Sequence, residues 1–303
     1  MIALLVNPAA GGGRAAQTAS SLETALAQAL GDVARAEDIV RVDTHGPGTE
    51  MPLARDAVAR GARVLVVVGG DGTVHHALRG LLEAGAPIPL AVCAAGTGND
   101  FVKTIATPAH DPVAMAALVV HGGARLVDIG EIDGVPFLNA AGFGFDVEVL
   151  RRMQDGTSRP LTRRLGGTAA YVGTALSALF GYGGVRATWL GHTRPHLLTV
   201  FANGRYFGGA FRIAPTAAPD DSLLDVVSVG AVPPWARLAV FLRAVRGTHL
   251  GHRAVQHLRT RETTVHFDAP PWFQADGELY RARGTALTVR VRPGAVRVLM
   301  SAI

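Results

Sequence analysis

The chain has 303 residues, 49% hydrophobic and 17% charged, which supports a sizeable folded core and argues against disorder. Its single cysteine, Cys93, excludes a disulfide scaffold and any cysteine-rich zinc module. The opening MIALLVNPAAGGG lacks a secretory leader, and apolar runs such as Ala114–Val120 are too short to span a membrane, so a cytoplasmic protein is expected. Charge is uneven along the chain. Residues 1–130 hold 9 basic and 12 acidic side chains, whereas residues 131–303 hold 20 and 12. Of the 29 basic residues only Lys103 is a lysine.

The first 130 residues alternate between two periodicities. Ile2–Val6 reads as a strand ending in Asn7-Pro8 and a glycine-rich turn, followed by a helix from Arg14 to Leu30. Ile39–Val42 is a second strand and Pro52–Arg60 a second helix. Arg63–Val68 has the unbroken apolar character of a strand buried on both faces. Thr73 is placed as the N-cap of a helix running to Leu82. Leu90–Ala94 is a further strand, closed by Gly96-Thr97-Gly98. This alternation predicts a parallel sheet covered by helices. Beyond Gly130 the texture changes to short runs between turn residues: Phe137–Ala140, Leu197–Ala202, Leu224–Val229, Thr263–Phe267 and Ala286–Val291. These predict an antiparallel β-sandwich, interrupted by helices near Thr168–Leu179 and Pro234–Arg246. The expected layout is an α/β nucleotide-binding domain over 1–129, to which a tail over 293–303 returns, and a β-sandwich domain over 130–292, with a cleft between.

Gly69-Gly70-Asp71-Gly72-Thr73, after a buried strand and before a helix, is the most informative segment. Glycines there let the backbone approach a ligand, and the helix N-terminus favours phosphate. Asp71 would repel a bare phosphate, so an intervening Mg²⁺ reconciles the two. Two more loops of this type follow other strands. Asn7-Pro8-Ala9-Ala10-Gly11-Gly12-Gly13 runs into a weak dinucleotide fingerprint, Gly11-x-Gly13-x-x-Ala16, without the acid that such a site needs. Gly96-Thr97-Gly98-Asn99 leads into a helix that carries Lys103 about one turn on, where it can meet a phosphate or stand solvated. Loops at the carboxyl ends of parallel strands converge where open α/β sheets bind ligands.

Together with Asn139-Ala140-Ala141-Gly142-Phe143-Gly144-Phe145-Asp146, Ala202-Asn203-Gly204, Ile213-Ala214-Pro215, Asp220-Asp221-Ser222-Leu223-Leu224-Asp225 and Ala275-Asp276-Gly277-Glu278, these loops resemble the diacylglycerol kinase catalytic-domain family, particularly its small bacterial lipid kinases. The resemblance spans essentially the whole chain. It implies an ATP- and Mg²⁺-dependent kinase acting on a lipid hydroxyl such as that of diacylglycerol. Matched residue by residue, it implies nucleotide contacts from Asn7, Pro8, Ala9, Ala10, Gly11, Thr44, Gly69, Gly70, Asp71, Gly72, Thr73, Val74, His75 and Thr97, and Gly96, Asn99 and Lys103 belong to the same loops. It implies a structural Mg²⁺ on Asp221 with the carbonyls of Ala218 and Leu223, a general base at Asp276 or Glu278, and an acid, Asp128, that cooperates with Asp71.

Two departures from the family pattern stand out. His75-His76 replaces the usual Asn-Glu or His-Glu, removing one carboxylate beside the nucleotide loop. Ser222 replaces a glycine in the metal element, and it is strained if that glycine adopts a positive φ. The rival readings are a soluble-substrate kinase of the NAD kinase type, a nucleotide-dependent dehydrogenase, and a degenerate lipid or nucleotide binder without catalysis. Arg151, Arg152, Arg159, Arg163 and Arg164, and the acid-free stretch Arg237–Arg261, predict reversible contact with an anionic membrane. Nucleic acid is not expected, because aromatic residues do not interleave with the arginines. A homodimer is compatible with the sequence.

Overall fold

Four parallel strands frame the first of two units, which comprises Met1–Asp128 and Pro293–Ile303. The structure is a computed structural model that describes residues 1–31, 38–105, 107–155, 179 and 181–300. Strand β1 (Ile2–Val6) pairs with β2 (Ile39–Asp43) on one side and β3 (Val64–Gly69) on the other, and β3 pairs with β4 (Leu90–Ala94). Leu4–Val6 and Leu65–Val68 are wholly buried, so these strands are apolar without alternation, as strands covered on both faces must be. Helices α1 (Arg14–Leu30), α2 (Glu50–Ala59), α3 (Asp71–Ala84), α4 (Asp100–Ile105) and α5 (Pro112–His121) follow in chain order. Helix α1 buries Ala15, Ala19, Leu22 and Leu26, a stripe at helical spacing. It packs on α5, and α2 packs on α3. The order β2-β1-β3-β4 places a switch point between β1 and β3, where successive loops diverge and open a crevice at the carboxyl ends.

The second unit, Ile129–Arg292, is antiparallel. Strand β7 (Ala140–Gly144) pairs with β9 (His192–Ala202) and β13 (Trp272–Ala275), and β13 pairs with β14 (Glu278–Arg281). Strand β9 also pairs with β8 (Val185–Trp189) and β10 (Leu224–Gly230), and β10 with β11 (Val255–Thr260). Strand β12 (Glu262–Phe267) pairs with β8 and with the start of β15 (Ala286–Leu299). Strand β5 (Ala124–Ile132) pairs with β6 (Val135–Phe137). Period-2 alternation gives the sandwich its two interiors. Leu224 and Val226 of β10 join a cluster with Phe143, Phe201 and Phe273, whereas Val227 and Val229 join one with Phe145, Val149 and Val240. Two described helices, α6 (Phe145–Gln154) and α7 (Pro234–Arg246), lie in this unit.

The predicted fold class therefore holds, and three local expectations do not. Helix α3 begins at Asp71, capped by Gly70 in an extended conformation, so Thr73 sits inside the first turn rather than at the N-cap. Its hydroxyl is engaged elsewhere, accepting a hydrogen bond from Asn7 Nδ2. The expected strand Phe137–Ala140 is broken at Leu138 and Asn139. Their N–H groups, and that of Ala140, donate to the Asp276 carboxylate, which removes them from strand pairing. Helix α6 was not expected; Gly144, with φ of 115°, turns the chain from β7 into it. Residues 168–178 of the expected helix Thr168–Leu179 lie outside the described residues.

Helix α3 holds the Gly69–Thr73 loop in place, and its own position depends on Gly80. A methyl group there would overlap the Met51 carbonyl and reach the Ala54 Cβ at 2.9 Å, both on α2. Alanine improves helix propensity by about 1 kcal/mol, but overpacking against rigid backbone costs about 1–3 kcal/mol. Gly80→Ala is expected to lower the thermal midpoint; an unchanged or raised midpoint would show that the two helices can separate freely.

Candidate functional site

The carboxyl ends of β2, β1, β3 and β4 are neighbours, and every nucleotide contact implied for the first unit lies on them or in the first turns that follow. The loops are fastened to each other. The Asn7 N–H donates to the Val68 carbonyl at 2.9 Å, Thr44 N–H to the Val6 carbonyl at 2.8 Å, and Ala95 N–H to the Gly69 carbonyl at 2.9 Å. Asn7 Nδ2 donates to Thr73 Oγ1 at 3.1 Å, while Asn7 Oδ1 accepts from the Ala9 N–H. Glycine is required where the loops meet. A Cβ on Gly96 would lie 2.5 Å from the Gly70 Cα, and one on Gly11 would overlap the Ala95 carbonyl. Gly11 also has φ of 62°, a left-handed conformation that favours glycine.

Asp71 joins the third loop to the fourth. Its Oδ2 accepts the Asn99 N–H at 2.7 Å and its Oδ1 accepts the Asp100 N–H at 2.9 Å. Gly98 leaves room for this, since a Cβ there would stand 2.6 Å from Asp71 Oδ2. Asn99 is buried at φ of 51° and closes its own loop through Gly96, accepting from its N–H and donating to its carbonyl. Thr97 is exposed at the tip. Val74 and His75 are buried, so they support the loop from beneath, and the His75 and His76 rings meet edge to face at 5.2 Å. Lys103 pairs with Asp100 at 3.1 Å. No side chain caps α3, and a helix N-terminus without one is a ready anion site.

Asp128 is buried on β5, and its Oδ1 accepts the Gly294 N–H at 2.7 Å, which fastens the C-terminal segment within the first unit. Among the described residues no cluster of three or more His, Cys, Asp or Glu can hold a metal. A carboxylate such as that of Asp71 suits Mg²⁺, which keeps waters and binds mainly to phosphate oxygens.

In the second unit the Asp-Gly-Glu element divides its work. Asp276 lies in the turn between β13 and β14 at φ of 50°. Its Oδ1 accepts the N–H groups of Asn139 at 2.9 Å and Ala140 at 3.1 Å, and its Oδ2 accepts that of Leu138 at 2.8 Å. A carboxylate aimed at three backbone donors is a clamp, so of the two candidates for the base the geometry favours Glu278, half-buried at the start of β14. At the Asp-Asp-Ser element, Asp221 Oδ1 accepts the Leu223 N–H at 3.0 Å and Oδ2 pairs with Arg259. The same guanidinium approaches buried Asp225 at 3.5 Å. The Mg²⁺ expected on Asp221 with the carbonyls of Ala218 and Leu223 would share Asp221 with the Arg259 guanidinium. Ser222 has φ of 62°, the strained conformation anticipated from the missing glycine.

Sequence reasoning assigned no role to Asp146 or Gln274. Asp146 is buried in the first turn of α6, and neither carboxyl oxygen has a partner at hydrogen-bonding geometry among the described residues. Gly142 gives it space, a Cβ there falling 3.2 Å from Oδ2. Burial pushes its carboxyl up to about 7, while the Val147 backbone and the Gln274 side chain pull the other way. Gln274 pairs in register with Gly142, and its Oε1 accepts the Gly277 N–H at 2.8 Å in the Asp-Gly-Glu turn. Only the proximity of Asp146 to a run of glycines hinted at its burial.

Comparison with known proteins places this geometry. The diacylglycerol kinase catalytic domain model matches residues 1–132, and the YegS C-terminal NAD kinase beta sandwich-like domain model matches residues 139–300. A protein named probable lipid kinase YegS-like from Pseudomonas fluorescens is 33% identical over 260 residues, covering 84% of this chain and 83% of its own. A diacylglycerol kinase from Mycobacterium tuberculosis is 31% identical over 294 residues, covering 89% and 85%. A solved diacylglycerol kinase structure from Bacillus anthracis matches 99% of this chain and 96% of its own with a TM-score of 0.72, at 22% identity, a likeness of fold alone.

Two outcomes follow from the site chemistry. Asp276→Asn would turn an amide N–H toward backbone donors, so its unfolding free energy should fall by about 2 kcal/mol; a parent-like denaturation curve would remove the clamp. For Asp146 the proton is held more tightly in the folded chain than in the unfolded one. Its contribution to stability is fully present below pH 3.8 and is lost as pH rises to about 7. Asp146→Asn cannot ionise, so the difference in stability between variant and parent should shift in the variant's favour from pH 5 to pH 8; a difference constant with pH would contradict the assignment.

Proposed function

The chain belongs to the diacylglycerol kinase catalytic-domain family of lipid kinases, and from that premise we propose that it is an ATP- and Mg²⁺-dependent kinase for a lipid hydroxyl such as that of diacylglycerol. The observation that carries this reading is the fastening of the Gly69–Thr73 loop to the Gly96–Asn99 loop through the Asp71 carboxylate. Phosphoryl transfer needs positioning and charge neutralisation more than covalent help from the protein. Glycine-rich loops at a strand-to-helix turn let backbone N–H groups reach phosphate oxygens, and α3 directs its positive end to the same place. Asp71, held by two N–H groups, would orient Mg²⁺, which neutralises charge on the phosphates when bound.

In the proposed reaction the acceptor hydroxyl oxygen forms a bond to the γ-phosphorus, and the bond from that phosphorus to the bridging oxygen of ADP breaks. Glu278 takes the hydroxyl proton, and Asp276 holds the turn on which Glu278 stands. The acceptor is a lipid rather than a soluble nucleotide on the strength of the relatives' names.

The roles separate in kinetics. Glu278→Gln should lower kcat by about 10²–10⁴-fold with ATP affinity retained. Asp71→Asn should lower kcat strongly and shift the Mg²⁺ dependence, while the fold survives. Parent-like turnover in both variants would overturn the assignment of this chemistry to these carboxylates.

A further inference from the structure

Helix α7 presents an apolar face outward. Its buried side, Ala236, Val240 and Ala244, packs into the second unit, with Val240 in the cluster around Phe145. On the other side Trp235, Leu238, Leu242 and Val245 remain 74%, 42%, 55% and 47% exposed. Their spacing of three, four and three residues puts them on one stripe. A stripe of large side chains in contact with water is unusual for a surface with no partner.

The charge carried by this helix has one sign. Arg243 and Arg246 are exposed in its last turn, and Arg253 and Arg261 are exposed further along the chain. No acid occurs in the sequence from residue 226 to residue 261. Arg237, by contrast, is buried, donating to the Val232 carbonyl at 2.9 Å and the Leu179 carbonyl at 2.6 Å, which fixes the helix to its unit. The other arginines expected at a membrane are engaged: Arg152 pairs with Glu148 at 2.6 Å, and Arg151 stacks on Trp272. Arg159, Arg163 and Arg164 lie outside the described residues.

We propose that α7 is an interfacial docking helix whose Trp235–Leu238–Leu242–Val245 face enters the surface of an anionic lipid leaflet, with Arg243 and Arg246 on its headgroups. A short amphipathic helix with tryptophan and leucine on one face and arginines beside it matches the chemistry of that interface. A second copy of the chain fits less well, because a two-fold contact between two such faces adds a second set of arginines and no acid to receive them. The helix stays parallel to the surface, since no helix among the described residues is long and apolar enough to cross a membrane.

The test uses the intact protein with phosphatidylcholine vesicles, with and without phosphatidylglycerol, and needs no substrate, so it is independent of the catalytic reading. The parent should sediment with anionic vesicles and be released by salt. The double variant Trp235→Ser, Leu242→Ser should bind more than about tenfold more weakly. Arg243→Gln and Arg246→Gln should each weaken binding to anionic vesicles by about fivefold and leave neutral vesicles unaffected. All four positions are exposed, and thermal melting checks that each variant is folded. Parent-like vesicle binding by the variants, no vesicle binding by the parent, or self-association that Leu242→Ser abolishes in place of vesicle binding would each overturn the proposal.

Discussion

Two glycines in contact set the geometry of the first unit. Gly70 and Gly96 end neighbouring strands and lie so close that a side-chain carbon on Gly96 would meet the Gly70 Cα at 2.5 Å. That approach brings the Asn99 and Asp100 N–H groups within reach of the Asp71 carboxylate, which accepts both. From the same contact follow the burial of Asn99, the space at Gly98 and the start of α4. The loops are therefore fastened to one another by the chain's own hydrogen bonds, and in the proposed function a phosphate would meet backbone donors already fixed. Preorganisation of this kind is where electrostatic stabilisation of phosphoryl transfer comes from.

The second unit repeats the device with different parts. Asp276 takes three backbone N–H groups that a continuous strand would have used for pairing, and the chain breaks at Leu138 and Asn139 as a result. Asp221 and Asp225 share Arg259, which sets a positive charge from the chain beside the expected metal element. In both places a carboxylate read from the sequence as a base or a metal ligand makes a structural bond to the chain. Glu278, two residues on from Asp276 in the same element, is the base in the proposed function.

The sequence carried the fold well where the signal is local. Unbroken apolar runs leading into glycine-rich turns marked β1, β3 and β4, and short apolar runs between turn residues marked the strands of the sandwich. Ser222 in a glycine position foretold a positive φ, which the structure has. Long-range bonds were not legible. The partners of Asp276 lie 136 to 138 residues away and those of Asp71 lie 28 and 29 residues away, distances at which residue type gives no address. Thr73 looked like a cap because of its type, but Gly70 takes that position and leaves the threonine hydroxyl to Asn7. Asp146 appeared in a motif without a role, since its burial depends on Gly142 and on a helix that no sequence signal announced.

The account turns on where the γ-phosphoryl group goes. Incubating the protein with γ-labelled ATP, Mg²⁺, vesicles containing diacylglycerol, and NAD in the same tube lets both acceptor classes compete. Extraction into organic solvent then separates a phosphorylated lipid from any phosphorylated nucleotide. The account predicts label in the organic phase that depends on Mg²⁺ and on the diacylglycerol. Label confined to an aqueous product, or none transferred to any acceptor, would contradict it.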